Sequence, residues 1–226
     1  MIESAVHWLC FHPKRDDRLV SEVRWDCQTF IVDLNGNALW RRTLDGIILS
    51  TCLNPKGDYV YRGRKFNVRI SEVTLPTGIK VVREIVEFRG AVAILPILSK
   101  DKIILIKQYR PVINEWIIEV PAGTLEEGED PASCALRELE EEIGYRAGKL
   151  IKLFEMFMSP GYSTEKLYAF IAMDLVKTRT KREKYEVIEE VVVSLDEAIS
   201  MVKSNVIRDA KTIALLLYYK YVYLGG

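Results

Sequence analysis

Apolar and polar residues alternate with a period of two through much of the first 90 positions, which predicts strands half-buried on one face. Residues 29–34, the turn residues Asn35-Gly36-Asn37 and residues 38–40 read as strand, turn and strand, and residues 47–53 followed by Asn54-Pro55-Lys56-Gly57 repeat the pattern. Residues 59–87 are again β, with alternation over 65–70 and a turn at Leu75-Pro76-Thr77-Gly78. The apolar runs at 90–97 and 102–107 are continuous, as strands covered on both faces require. A helix is predicted over 130–143, with Pro131 in its first turn and Gly144 placed to end it. Strands at 167–173 and 189–193 and helices at 196–203 and 209–223 complete the chain. Strands interleaved with helices predict an α/β (α+β) sandwich around a mixed sheet. Three regions separate along the chain, 1–56, 57–88 and 89–226.

Composition narrows the class. The chain has 226 residues, 49% of them hydrophobic, enough for one large or two small cores. Its 32 basic and 32 acidic residues balance, which argues against nucleic acid as a partner. Residues 213–224 form the longest apolar stretch, but Lys220 interrupts it and it is too short for a bilayer, so no membrane partner is expected. Cys10, Cys27, Cys52 and Cys134 are scattered without a CxxC pair, which fits reduced thiols in the cytoplasm. His7, Cys10 and His12 lie close together, yet no second ligand pair follows at zinc spacing, so ordinary histidines are expected there.

The chemistry concentrates in residues 123–145. Glu138, Glu140, Glu141 and Glu142 fall within five positions, between Gly123 and Gly144. On a helix, Glu138, Glu141 and Glu142 share a face through i, i+3 and i+4 spacing, where like charges repel unless a cation or solvent relieves them. Leu136, Leu139 and Ile143 are expected on the opposite, buried face. Such a helix is a platform for a divalent metal. Glu129, eight residues before Arg137, is expected about two turns away on the same face, salt-bridged to it.

These residues resemble the Nudix box: Gly123, five residues, Glu129, seven residues, Arg137-Glu138-Leu139, Glu141-Glu142 and Gly144. Tyr145 departs mildly, standing where the family carries a bulky aliphatic residue. Outside the box, residues 61–66 and 83–87, Gln108-Tyr109-Arg110, residues 116–123 and the Ser159-Pro160-Gly161 loop resemble the ADP-ribose pyrophosphatase branch. Pro160, fifteen residues after Tyr145, occupies the position that marks that branch. The likeness covers residues 57–224 and implies a small antiparallel β-domain (57–88) preceding a larger domain (89–226). Residues 1–56 are then an extra N-terminal β-rich segment, whose role stays open.

The resemblance implies a Nudix α/β/α sandwich and hydrolysis of ADP-ribose to AMP and ribose 5-phosphate. Mg²⁺, with Mn²⁺ as a substitute, is implied on Glu138, Glu142, Glu141 and the Ala122 carbonyl. Glu138, Glu141 and Glu142 are the implied catalytic groups. The general base is assigned to Glu186 in the charged segment 177–189, with Glu183 second and a box glutamate as the alternative. Phe66, Arg83, Glu84, Arg110 and Glu119 are implied to bind substrate. Gly123, Glu129, Arg137, Gly144 and Pro160 are structural. A homodimer is implied, in which residues 57–88 serve the partner's site. Two other readings remain: a pyrophosphatase for another nucleoside diphosphate sugar or a dinucleotide, and a non-catalytic ADP-ribose-binding module.

Overall fold

The structure is a computed structural model and describes residues 20–23, 28–32, 38–43, 59–180 and 187–225. Two compact units emerge, one spanning Met1–Phe88 with Gly161–Thr164, the other Arg89–Pro160 with Glu165–Gly226.

In the first unit, β1 (Val20–Val23), β2 (Gln28–Val32) and β3 (Ala38–Thr43) form an antiparallel sheet in chain order. The expected hairpin is therefore present, with Thr29 opposite Arg42 and Ile31 opposite Trp40. Its turn residues 35–37, the expected strand at 47–53, and His7, Cys10 and His12 lie outside the described residues. A second antiparallel sheet holds β4 (Tyr59–Arg62), β5 (Phe66–Thr74) and β6 (Lys80–Phe88). The turn between β5 and β6 closes as its residues dictate: Gly78 sits at φ 84° and donates to the Leu75 carbonyl at 2.8 Å.

Gly161–Thr164 was expected only as part of a loop, yet it runs along the free edge of β6. Val86 N–H donates to Tyr162 O at 2.8 Å, Thr164 N–H donates to Val86 O at 3.0 Å, and Phe88 N–H donates to the Thr164 hydroxyl at 3.0 Å. Ser-Pro-Gly announces a turn and carries no signal for edge pairing at such sequence distance.

The second unit is built on a seven-stranded mixed sheet. Its strands are β7 (Ala91–Ser99), β8 (Lys102–Arg110), β9 (Glu115–Glu119), β10 (Ala122–Thr124), β11 (Tyr145–Phe157), β12 (Lys166–Lys177) and β13 (Ile188–Val193). The order is β11-β12-β7-β8-β13, with β10 added to β7 and β9 to β8. The β12–β7 pair is parallel and the others antiparallel.

The continuous apolar runs now have a reason. Ala93, Leu95, Ile103 and Leu105 face one core, which also contains Ala198 and Ile199 of α2 (Leu195–Lys203) and Leu215 and Leu216 of α3 (Ala210–Tyr218). Val92, Ile94, Ile104 and Ile106 face the other, with Ala135, Leu139 and Ile143 of α1 (Pro131–Ile143). Successive strand residues thus feed opposite layers, giving the α/β/α sandwich. The expected single helix over 209–223 changes pitch after Tyr218 into a π-helical turn, Tyr219–Tyr223, where Leu224 N–H donates to Tyr219 O at 3.0 Å. β11 is an edge strand, half-buried, with a bulge between Lys152 and Phe154, so its alternation is too broken to announce it. Among the described residues, no helix is long and apolar enough to cross a membrane.

Candidate active site

The α1 helix starts where its chemistry says it should. The Asp130 carboxylate caps it, accepting from Ala132 N–H at 3.0 Å and Ser133 N–H at 3.2 Å, and Pro131 occupies a first-turn position whose missing N–H has no partner to lose. Gly144 ends it at φ 69°, the left-handed conformation glycine adopts freely, and its N–H returns to Glu140 O at 3.0 Å. A Cβ at Gly144 would lie 2.9 Å from the Thr180 methyl, and the Gly144 carbonyl accepts from Thr178 N–H at 2.7 Å. The close of the helix is thus also the seat of residues 178–180.

The buried face differs from the expected one. Leu139 and Ile143 are fully buried, but Leu136 is 41% exposed while Glu142 is only 4% exposed. The buried arc includes Ala135 and Leu139, takes in Glu142 and leaves Leu136 at its margin. A carboxylate buried there needs a donor. Ala122 N–H supplies it, 3.0 Å from Glu142 Oε2.

Gly123, next along β10, faces Glu138. A Cβ on Gly123 would fall 1.9 Å from the Glu138 carboxyl, so only glycine lets backbone and carboxylate approach this closely. The Ala122–Gly123 backbone and the Glu138 and Glu142 side chains accordingly meet at one place. Glu140 points elsewhere, paired with Arg146 through bonds of 3.1 and 3.0 Å.

Arg137 relieves the repulsion among the remaining charges. Its Nη1 donates to Glu138 Oε1 at 2.7 Å and to Glu141 Oε2 at 3.2 Å, while Nε and Nη2 hold both oxygens of Glu129. The Arg137–Glu129 pair was expected on one helix face. Instead Glu129 lies in the loop before the Asp130 cap, which curls back through Gly128 at φ 75° and a Glu126 N–H bond to Glu129 Oε2 at 2.9 Å. The bond from Arg137, helped by Glu126 N–H and opposed by burial, holds the Glu129 carboxyl down at about 2. Arg137 is raised in turn, by its bond to Glu129 and the charge of Glu138 against the desolvation of its guanidinium.

A second polar network borders the site. Glu119, at the end of β9, is fully buried, with Arg110 Nε on one oxygen at 2.7 Å and Lys211 Nζ on the other at 2.5 Å. Burial works against the Arg110 charge, but Glu119, with the fields of Glu142 and Asp209, outweighs it and raises the Arg110 pKa. Lys211 also binds Asp209, the α3 cap, and Thr212 links that cap to Val120 N–H. Nothing in the sequence reading singled out Lys211, Asp209 or Thr212 as site residues. The available signal was Asp209 as an N-cap, which locates a helix start but not what it touches.

The other expected substrate residues lie on the β4–β6 sheet. Phe66 is 38% exposed and packs at 5.7 Å on the Tyr61 ring and 5.5 Å on Phe88. Phe66 opposes Phe88 and Ile70 opposes Glu84, so Glu84 shares the face of Phe66, whereas Arg83, its neighbour in the strand, projects from the other. Pro160 is exposed, at the start of the turn that leads into Gly161–Thr164. Glu183 and Glu186 lie outside the described residues.

Among the described residues, no group of three or more His, Cys, Asp or Glu side chains is gathered so as to hold a metal ion by itself. The donor set nevertheless fits a hard cation: carboxylate oxygens beside a glycine whose missing side chain leaves room for them. Mg²⁺ is commonly held by one or two carboxylates with water and substrate phosphate, rather than by protein alone.

Comparison with known proteins shows which family the chain resembles. The family model of the NUDIX domain matches residues 87–216. The ADP-ribose pyrophosphatase of Bacillus subtilis (strain 168) is 40% identical over 163 residues, covering 71% of this chain and 88% of that protein. The methanol dehydrogenase activator of Bacillus methanolicus is 37% identical over 165 residues, 72% of this chain and 89% of its own. A GDP-mannose pyrophosphatase of Citrobacter koseri is 37% identical over 140 residues, 57% of this chain and 72% of its own. Among solved structures, one described as an ADP compounds hydrolase superposes with a TM-score of 0.66 at 26% identity, covering 75% of this chain and 92% of that one.

Proposed function

We propose, for a chain that belongs to the NUDIX domain family, that the reaction is metal-dependent hydrolysis of the diphosphate of ADP-ribose to AMP and ribose 5-phosphate. The observation that carries this reading is the convergence of Glu138 and Glu142 on the Ala122–Gly123 backbone, with Arg137 and Glu129 bracing the helix behind them. The 40% identity to an ADP-ribose pyrophosphatase supports the substrate.

In this reading, Glu138 and Glu142, with Glu141 beside them and the Ala122 carbonyl, hold Mg²⁺ or Mn²⁺. The bound metal supplies charge neutralisation for the diphosphate and acidifies the attacking water. Water attacks one phosphorus, the bridging P–O bond breaks, and the oxygen leaves with the other phosphoryl group. Glu186 takes the proton from that water. Arg110, fixed by Glu119, donates to substrate oxygens, while Phe66, with Glu84 on the same face of its sheet, stacks on the adenine held by the partner subunit. Arg137 acts through the glutamates and touches no substrate. The protein works in the cytoplasm as a homodimer assembled through the β4–β6 sheet. Light scattering that finds a fully active monomer rejects the dimer.

The GDP-mannose pyrophosphatases among the relatives favour a second reading, hydrolysis of another nucleoside diphosphate sugar. A phosphatase-coupled panel of ADP-ribose, ADP-glucose, GDP-mannose and NADH separates them by kcat/KM. ADP-ribose is expected to lead. A lead for GDP-mannose or NADH replaces it.

A further inference from the structure

Two helices grip the short segment that carries Ala122 and Gly123, and only one of them holds the clustered glutamates. On the α1 side, Ala122 N–H is bound by Glu142 and Gly123 meets Glu138. On the α3 side, two contacts fall just upstream. Lys211 Nζ lies 2.5 Å from Oε2 of the fully buried Glu119, and the Thr212 hydroxyl accepts from Val120 N–H at 2.9 Å. Both contacts are anchored on Asp209. One of its oxygens takes Lys211 Nζ at 2.8 Å, and the other takes the Thr212 hydroxyl at 2.6 Å and the Thr212 N–H at 2.9 Å.

The network is closed and largely buried. Thr212 is fully buried and the Lys211 side chain is 13% exposed. Each acceptor has its donor, and the arrangement is stiff for the reason buried polar networks are: any member displaced leaves another unpaired. Between Val120 and Ala122 stands Pro121, whose carbonyl is tied to Ile94 N–H at 2.9 Å and whose ring fixes φ. A shift at Glu119–Val120 therefore passes to Ala122 with little slack.

We infer that the start of α3 is a positioning device for the metal platform: Lys211 and Thr212, fixed by Asp209, hold Glu119 and Val120 and thereby set where the Ala122–Gly123 backbone stands against Glu138 and Glu142. Lys211 serves the reaction without touching substrate. The same bond fixes one oxygen of Glu119, leaving the other to orient Arg110. The inference rests on the metal-dependent reading above.

The test compares Lys211→Gln and Thr212→Val with Lys211→Arg, Thr212→Ser and Leu216→Ala. Leu216 is fully buried on the same helix, so its truncation measures what loosening α3 does without the polar network. Mn²⁺ affinity is read without substrate by water-proton relaxation, alongside kcat and KM for ADP-ribose and thermal melting. Lys211→Gln and Thr212→Val are expected to weaken Mn²⁺ binding and lower kcat by about tenfold or more, as loss of an outer-shell partner does, with KM moving less. Lys211→Arg and Thr212→Ser restore most of the affinity. Leu216→Ala lowers the melting temperature while keeping Mn²⁺ affinity near wild type. The near-isosteric Thr212→Val carries the test should Lys211→Gln not fold. Folded variants that bind Mn²⁺ as wild type does, or losses that Leu216→Ala reproduces at equal destabilisation, overturn the inference. A wild type that turns over no ADP-ribose overturns the proposed substrate alone, because the Mn²⁺ measurement still decides the role of Lys211. A wild type that binds no Mn²⁺ overturns both.

Discussion

Arg137 grips Glu129 with two parallel hydrogen bonds, Nε to Oε1 and Nη2 to Oε2, each 2.9 Å long. The fork-to-fork geometry fixes the plane of the guanidinium and so aims its remaining nitrogen, Nη1, at Glu138 and Glu141. One arginine therefore ties the loop before the helix to the glutamates on it, and part of the cation that the clustered carboxylates demand comes from within the chain.

Glu129→Gln is expected to destabilise the protein by about 1–3 kcal/mol at neutral pH, the usual cost of weakening a hydrogen bond to a charged partner. The folded Glu129 pKa, about 2, lies below its ordinary 4.5, so between those values the unfolded chain binds more protons than the folded one. The stabilisation is then fully present above about pH 4.5 and is lost as pH falls towards 2. Urea unfolding of wild type and variant from about pH 7 down to pH 3 should show the gap narrowing below pH 5. A gap that stays constant contradicts the pairing.

Gly123→Ala tests the close approach of backbone and carboxylate. The new methyl group would enter the Glu138 carboxyl, so either that side chain leaves or β10 moves. Turnover is expected to fall by about 100-fold, the scale set by a displacement near 1 Å, with the fold retained by circular dichroism. Wild-type turnover would place Glu138 outside the chemistry.

Two leucines on α1 separate the real buried face from the expected one. Leu139→Ala, at a fully buried site, is expected to lose about 2–5 kcal/mol in denaturant unfolding. Leu136→Ala, 41% exposed, is expected to change stability by about 0.5 kcal/mol or less. Equal losses contradict the orientation of the helix.

Local signals carried the sequence reading a long way. Asp130-Pro131 and Gly144 marked both ends of α1, and the continuous apolar runs of β7 and β8 announced a sheet covered on both sides. What stayed hidden depends on contacts distant in sequence. The Glu119–Lys211 and Val120–Thr212 bonds join residues 92 positions apart, and the Phe88–Thr164 bond spans 76. Neither periodicity nor turn chemistry encodes such partners. The exposure of Leu136 and the burial of Glu142 stayed hidden for a subtler reason: a helical repeat gives the angular order of residues but not the centre of the buried arc, which tertiary packing decides. Glu138, Glu141 and Glu142 were legible as candidates because a charge cluster and its flanking glycines are local features.

The most direct test is AMP and ribose 5-phosphate formation from ADP-ribose, followed by mass spectrometry with Mg²⁺ and again with excess EDTA, for wild type, Glu138→Gln and Glu142→Gln. The wild type should release both products with Mg²⁺ and neither in EDTA. Each variant, folded by circular dichroism, should lose about 10³-fold or more in kcat, as removal of a group used in the transition state does. Wild-type turnover that survives EDTA, or near-normal turnover by both variants in Mg²⁺, would contradict the account.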